Sequence, residues 1–346
     1  MSTAGRFLAT DKIPDLLKRL GTQYHVYAPV QASDTTVLFQ EFNEEAQLAL
    51  EREATLSPKE VFFPQTERLL TYTYQKDAED PKKSSIQIEE TLEASPTVIF
   101  GTRPCDVRGL AIFDMVFNQG QWVDPYYRAR REATTIVTIL CTEPENTCFC
   151  TSVDGGPADT QGSDVLLTPV TGGYFAEAVT EKGDGILQDD AFVPGDDKAQ
   201  EAREARDKVA LERELDLART PQTILKLFST DFWEQVTAKC ISCGACTYVC
   251  PTCYCFNITD EDAGLGGERV RTWDSCMFYH YTLEASGHNP RPTKAERYRN
   301  RVGHKFSYHP STYEGTFGCT GCGRCIKVCP VSLDIRQILR EAQVHE

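Results

Sequence analysis

The sequence predicts an α+β chain in two parts. A mixed α/β domain comes first, and a cysteine-rich domain of short helices and loops with a long insertion follows. Three observations carry this. Strand-like and helix-like runs alternate through the first 180 residues. An acidic segment punctuated by Gly and Pro comes next. Eleven of the fifteen cysteines then lie beyond residue 239.

The chain has 346 residues, which suits two domains rather than one core. Apolar residues make up 40% and charged residues 25%, ordinary for a globular protein. The net charge of −15 argues against nucleic-acid binding and against docking on an anionic membrane. No run of 18 or more apolar residues appears, so no membrane span is expected. MSTAGRFLATDKIPDLL lacks the basic start and apolar stretch of a signal peptide. A cytoplasmic location is therefore expected. There, cysteines at an odd count and in tight CxxC spacings point to metal ligation rather than disulfides.

Within residues 1–180, TVIFG (97–101), TTIVTILC (134–141), DVLLTPV (164–170) and YFAEAVT (174–180) have strand composition. IPDLLKRL (13–20) and DVRGLAIFDMVF (106–117) have helical spacing. The order of the strands is not legible. Residues 181–230 read as an acidic loop, EKGDGILQDDAFVPGDD, and a charged linking helix whose mixed signs suit exposure. DFWEQVTAK (231–239) then delivers the chain into a domain spanning 231–346.

CISCGACTYVCP (240–251) and CTGCGRCIKVCP (319–330) match position by position. C-x2-C-x2-C-x3-C-P, present twice, is the run that holds two [4Fe–4S] clusters in bacterial ferredoxins, each fourth cysteine serving the other cluster. One ligand set is then Cys240, Cys243, Cys246 and Cys329, and the other is Cys319, Cys322, Cys325 and Cys250. Gly244 and Gly323 let backbone pass close to a cluster, and Pro251 and Pro330 stop a helix at the fourth ligand. Paired zinc sites are the competing reading, but zinc usually joins two distant CxxC halves.

Beyond the motifs the chain resembles a family. KEVFFPQTERLLTY, VIFGTRPCDVRGLAIFD, DPYYRARRE, CTEPENTCFCTSVDGGP, CPTCYCF, RTWDSC and SGHNPRPTKAERYRNRVGHKFSY, with both motifs, are similar to the iron–sulfur subunits that include the β subunit of NiFe sulfhydrogenase. The A subunit of anaerobic sulfite reductase and flavin-oxidoreductase subunits associated with heterodisulfide reductase belong to the same group. The resemblance runs from about residue 59 to 335. It implies an electron-transfer subunit of a multi-subunit oxidoreductase. Such a subunit relays single electrons between a flavin/NAD(P)H-binding subunit and a terminal hydrogenase, heterodisulfide reductase or sulfite reductase. The chain itself shows no G-x-G-x-x-G after a strand, so no flavin or nucleotide of its own is expected, and no catalytic residue is assigned.

Seven cysteines remain. Cys105, Cys141, Cys148 and Cys150 converge at one sheet edge if their strands are neighbours, and would hold a third [4Fe–4S] cluster; the bland alternative is buried thiols. Cys253, Cys255 and Cys276 are one ligand short of a cubane, and read either as cluster ligands or as packing beside one. Basic residues collect in the insertion at Arg269, Arg271, Arg291, Lys294, Arg297, Arg299, Arg301 and Lys305. A solvated face, a docking surface and counter-charge for anionic clusters all fit. The histidines suit structural roles. Two rival functions stay open: a catalytic subunit with an open cluster iron, and a redox sensor.

Overall fold

In a computed structural model of the chain, residues 5–209 and 211–345 are described. Numbered along the chain, the strands are β1 (Arg6–Ala9), β2 (His25–Ser33), β3 (Thr36–Glu41), β4 (Thr66–Gln75), β5 (Ser85–Glu90), β6 (Thr97–Thr102), β7 (Thr134–Ile139), β8 (Val165–Val170), β9 (Gly173–Ala178), β10 (Phe192–Pro194), β11 (Phe256–Asp262) and β12 (Gly266–Trp273). Eight form one mixed sheet in the order β10-β1-β9-β8-β7-β6-β2-β3. The neighbours β2, β6, β7 and β8 run parallel, and the flanks are antiparallel.

The centre of that sheet follows from composition. TVIFGT and TTIVTI are buried at every position, as parallel strands covered on both faces must be. The helix Pro104–Phe117 leaves the end of β6. Pro104 stands at its first turn, and the Asp106 carboxylate accepts the Arg103 backbone N–H at 3.1 Å, so the N-terminus is capped where Cys105 sits. Leu110, Phe113 and Phe117 bury one face of this helix against Phe62, Phe63 and Tyr127.

Two segments depart from the sequence expectation. The acidic stretch after residue 180 is not simply a loop. It forms the helix Glu181–Ile186 and then β10, which pairs with β1 and closes the sheet edge with Phe192 buried. The charged helix stops at Lys208, with Ala202 its buried residue. Leu215 and Leu217 follow in extended chain, and their spacing of two sends both into the core around Phe149.

The insertion between the motifs carries more than helix and loop. Its hairpin β11–β12 joins β4 and β5 in a second sheet, ordered β11-β12-β4-β5, so β12 pairs with a strand from the other end of the chain. No helix among the described residues is long and apolar enough to cross a membrane.

Candidate functional site

The two motifs fold alike. Ser242 N donates to Cys240 Sγ and Gly321 N to Cys319 Sγ, each at 3.4 Å. Gly244 and Gly323, both at φ +76°, then lead into one-turn helices, Ala245–Tyr248 and Arg324–Lys327. This left-handed step turns the chain sharply between the second and third cysteines, which glycine does without strain.

The thiols sort into cavities, and the sorting crosses between motifs. Cys240, Cys243, Cys246 and Cys329 line one cavity with Arg301 and Tyr298. Cys250, Cys319, Cys322 and Cys325 line a second with Arg301 and Lys305. Cys325 also borders the first cavity, so the two are neighbours. Among the described residues, no three His, Cys, Asp or Glu side chains meet closely enough to hold a single metal ion. Each donor set is four thiols around one space, the number that a [4Fe–4S] cluster takes with one thiolate at each corner.

Cations face these sulfurs from the insertion. The helix Lys294–Gly303 carries Arg301 on its buried side and passes into a π-turn at His304–Tyr308 that carries Lys305, also buried. Arg301 Nε donates to Cys246 Sγ at 3.2 Å and Nη2 to the Cys246 carbonyl at 3.1 Å. Lys305 Nζ donates to Cys250 Sγ at 3.3 Å, to Thr252 Oγ1 at 2.7 Å and to the Gly318 carbonyl at 2.9 Å. They are 2% and 5% exposed, and among the described residues neither has a carboxylate within ion-pair distance. Burial opposes both charges, yet the surrounding thiols outweigh it and hold both groups above their ordinary pKa. A third buried cation, Lys59, donates to the Cys253 carbonyl at 3.0 Å and lies 4.1 Å over the Trp273 ring, with burial pulling its pKa down.

The basic insertion is therefore largely turned inward rather than a solvated face. Arg271 pairs with Glu67 and Asp124, Arg297 donates to three backbone carbonyls, and Lys294 reaches the Ala238 and Cys240 carbonyls. Arg269, paired with exposed Asp260, is the kind of surface pair the charge run suggested.

Cys105, Cys141, Cys148 and Cys150 do come together. They line a third cavity beside Glu53, Arg103 and Arg108, because β6 and β7 are neighbours. Burial raises all four thiols, Cys148 to about 12 and Cys150 to about 11. Cys253, Cys255 and Cys276 line none of these cavities. Cys253 donates to Cys250 and pulls it down. Cys276 does the same to Cys255, which falls to about 6. Cys255 and Cys276 pack within the apolar cluster around Trp233, Tyr298 and Phe306. His304 bonds to Tyr254 Oη at 3.0 Å, and His309 Nδ1 donates to the Thr316 carbonyl at 2.7 Å, both structural.

One buried group escaped the sequence reading. Arg324 is 1% exposed, pairs with Asp106 at 2.7 Å and Glu53 at 3.5 Å, and donates to the Ala54 carbonyl at 2.8 Å. It ties the second motif to the N-terminal sheet. An arginine where the first motif has Ala245 was the available signal.

Comparison with known proteins gives the chain's family. Residues 239–333 match the model of a 4Fe-4S dicluster domain. The whole chain is 30% identical over 342 residues, 97% of each protein, to sulfhydrogenase 2 subunit beta of Pyrococcus furiosus. The chain belongs to the sulfhydrogenase beta-subunit family. Its mixed α/β fold with a C-terminal dicluster domain, and a role as an iron–sulfur electron-transfer subunit of an oxidoreductase complex, go with that membership. No solved structure matches it.

Proposed function

We propose that this sulfhydrogenase-type beta subunit relays single electrons between a flavin/NAD(P)H-linked partner and a terminal redox subunit, through two clusters held crosswise by its motifs. Cys240, Cys243, Cys246 and Cys329 would hold one, and Cys250, Cys319, Cys322 and Cys325 the other. A [4Fe–4S] cluster supplies one-electron storage at a potential set by charge, hydrogen bonds and exposure. The observation that supports the reading most is the pair of adjoining thiol cavities bordered in common by Cys325 and Arg301.

The protein's part is positioning and electrostatics. Arg301 offers an N–H to Cys246 of the first set and Lys305 one to Cys250 of the second, and their uncompensated charge favours the more negative, reduced state. The cavity of Cys240 lies at the surface, where Cys243 is the one exposed cysteine of the fifteen and Ile241 is 61% exposed. A partner docking over Ile241 would bring its own redox centre near that cavity. Cys250, Cys319 and Cys322 are buried, which keeps water from the second.

The test is metal analysis and EPR on anaerobically purified chain, then reduction by NAD(P)H with and without the copurifying flavoprotein. Iron with interacting reduced-cluster signals, and bleaching only with the partner present, are expected. Zinc in place of iron, or substrate turnover by the isolated chain, would overturn the reading.

A further inference from the structure

We infer that the N-terminal sheet edge carries a third [4Fe–4S] cluster, held by Cys105, Cys141, Cys148 and Cys150, which extends the relay into a line of three with the Cys250 cavity at its centre.

Two features of the cavity support a ligand rather than packing. The thiols come from three places: the capped first turn of the helix Pro104–Phe117, the chain leaving β7, and the loop entering a 3-10 turn at Cys150–Val153. They face one common space. Four thiolates around one space are the ligand set that a [4Fe–4S] cubane takes, one at each iron.

The line follows from shared walls. Thr320 and Cys322 border both this cavity and the Cys250 cavity, as Cys325 and Arg301 border both dicluster cavities. The outer two have no residue in common. Each shared wall also holds a buried donor without a hydrogen-bond partner among the described residues, the Thr320 hydroxyl and Arg301 Nη1. Main chain joins the stations as well: Phe149 N donates to the Gly321 carbonyl at 2.8 Å, beside Cys148 and Cys150. Cluster assembly here would displace four thiol protons, including the one Cys105 donates to Glu53 at 3.5 Å.

The cluster stands on its own four thiols; its central neighbour rests on the dicluster reading above. The experiment is iron and acid-labile sulfide counting, with Mössbauer spectra, on full-length chain purified anaerobically. Wild type should carry about 12 irons, from four per cubane. The double variant Cys141→Ser/Cys150→Ser should lose about four and keep the dicluster EPR signals, while Cys255→Ser loses none. A wild type with about eight irons that the double variant leaves unchanged overturns the third cluster. So does zinc lost in its place. A wild type with about four irons, all lost in the double variant, keeps the third cluster and sinks the dicluster reading instead. The wild-type Mössbauer count decides the matter even if the variant fails to fold.

Discussion

The two motifs share a backbone and differ in everything around it. Ile241 is mostly exposed, while its counterpart Thr320 is 2% exposed. Cys243 meets solvent, while Cys322 is buried. Ser242 and Gly321 both take a left-handed turn, at φ +55° and +67°. Ser242 can carry a side chain there, but a Cβ on Gly321 would stand 2.5 Å from Cys150 N. Ala245 lines the open cavity, while Arg324 enters a buried network with Asp106 and Glu53. One local recipe has thus been set once at a surface and once in an interior. The residues between the cysteines, not the cysteines, record which is which.

The largest test of that contrast exchanges the fourth ligands. Cys329→Ser should empty the exposed site and Cys250→Ser the buried one, each losing about four irons, read by iron analysis and EPR. Loss confined to the motif that carries the substitution would break the crossed assignment. Arg324→Met comes next. It strands Asp106 as a buried charge and should cost about 3–5 kcal/mol in urea unfolding, whereas Ala245→Ser should cost under about 0.5 kcal/mol. Gly321→Ala adds left-handed strain and a backbone clash, together about 2–4 kcal/mol, against under about 1 kcal/mol for Ser242→Ala.

The smallest effect is acid sensitivity behind the buried motif. Burial holds the His304 imidazole down at about 4. The unfolded chain has an ordinary histidine near 6.5, so between those values it binds more protons than the folded one. Stability therefore falls as pH drops through that window. His304→Gln should lose about 2 kcal/mol less than wild type between pH 7 and pH 5, measured by thermal or urea unfolding.

What was legible follows from local rules. The eight motif cysteines, the helix Ile13–Leu20 and the central strands announce themselves through spacing and composition. The meeting of Cys105 and Cys141 needed one further condition, that β6 and β7 be neighbours, and they are. Arg301 and Lys305 were visible only as charge. Lys305 sits in a π-turn, which no side-chain pattern marks, and both cations face sulfurs that lie far away in sequence. The helix and strand within 181–194 were hidden because a three-residue edge strand takes its stability from β1 rather than from its own residues.

The pairing of β12 with β4 has a consequence for how the protein is made. Val270 lies opposite Arg68 across this ladder, and the second motif comes later still. Contacts so far apart in sequence close slowly. On a growing chain, under the crossed assignment proposed above, the first motif emerges before its fourth ligand, Cys329, exists. Its thiols must wait, reduced and unfilled, until nearly the whole polypeptide has been synthesised. Expression under oxygen should therefore harm this subunit chiefly during its birth, and supplying reductant and iron late should recover more of it than supplying them early.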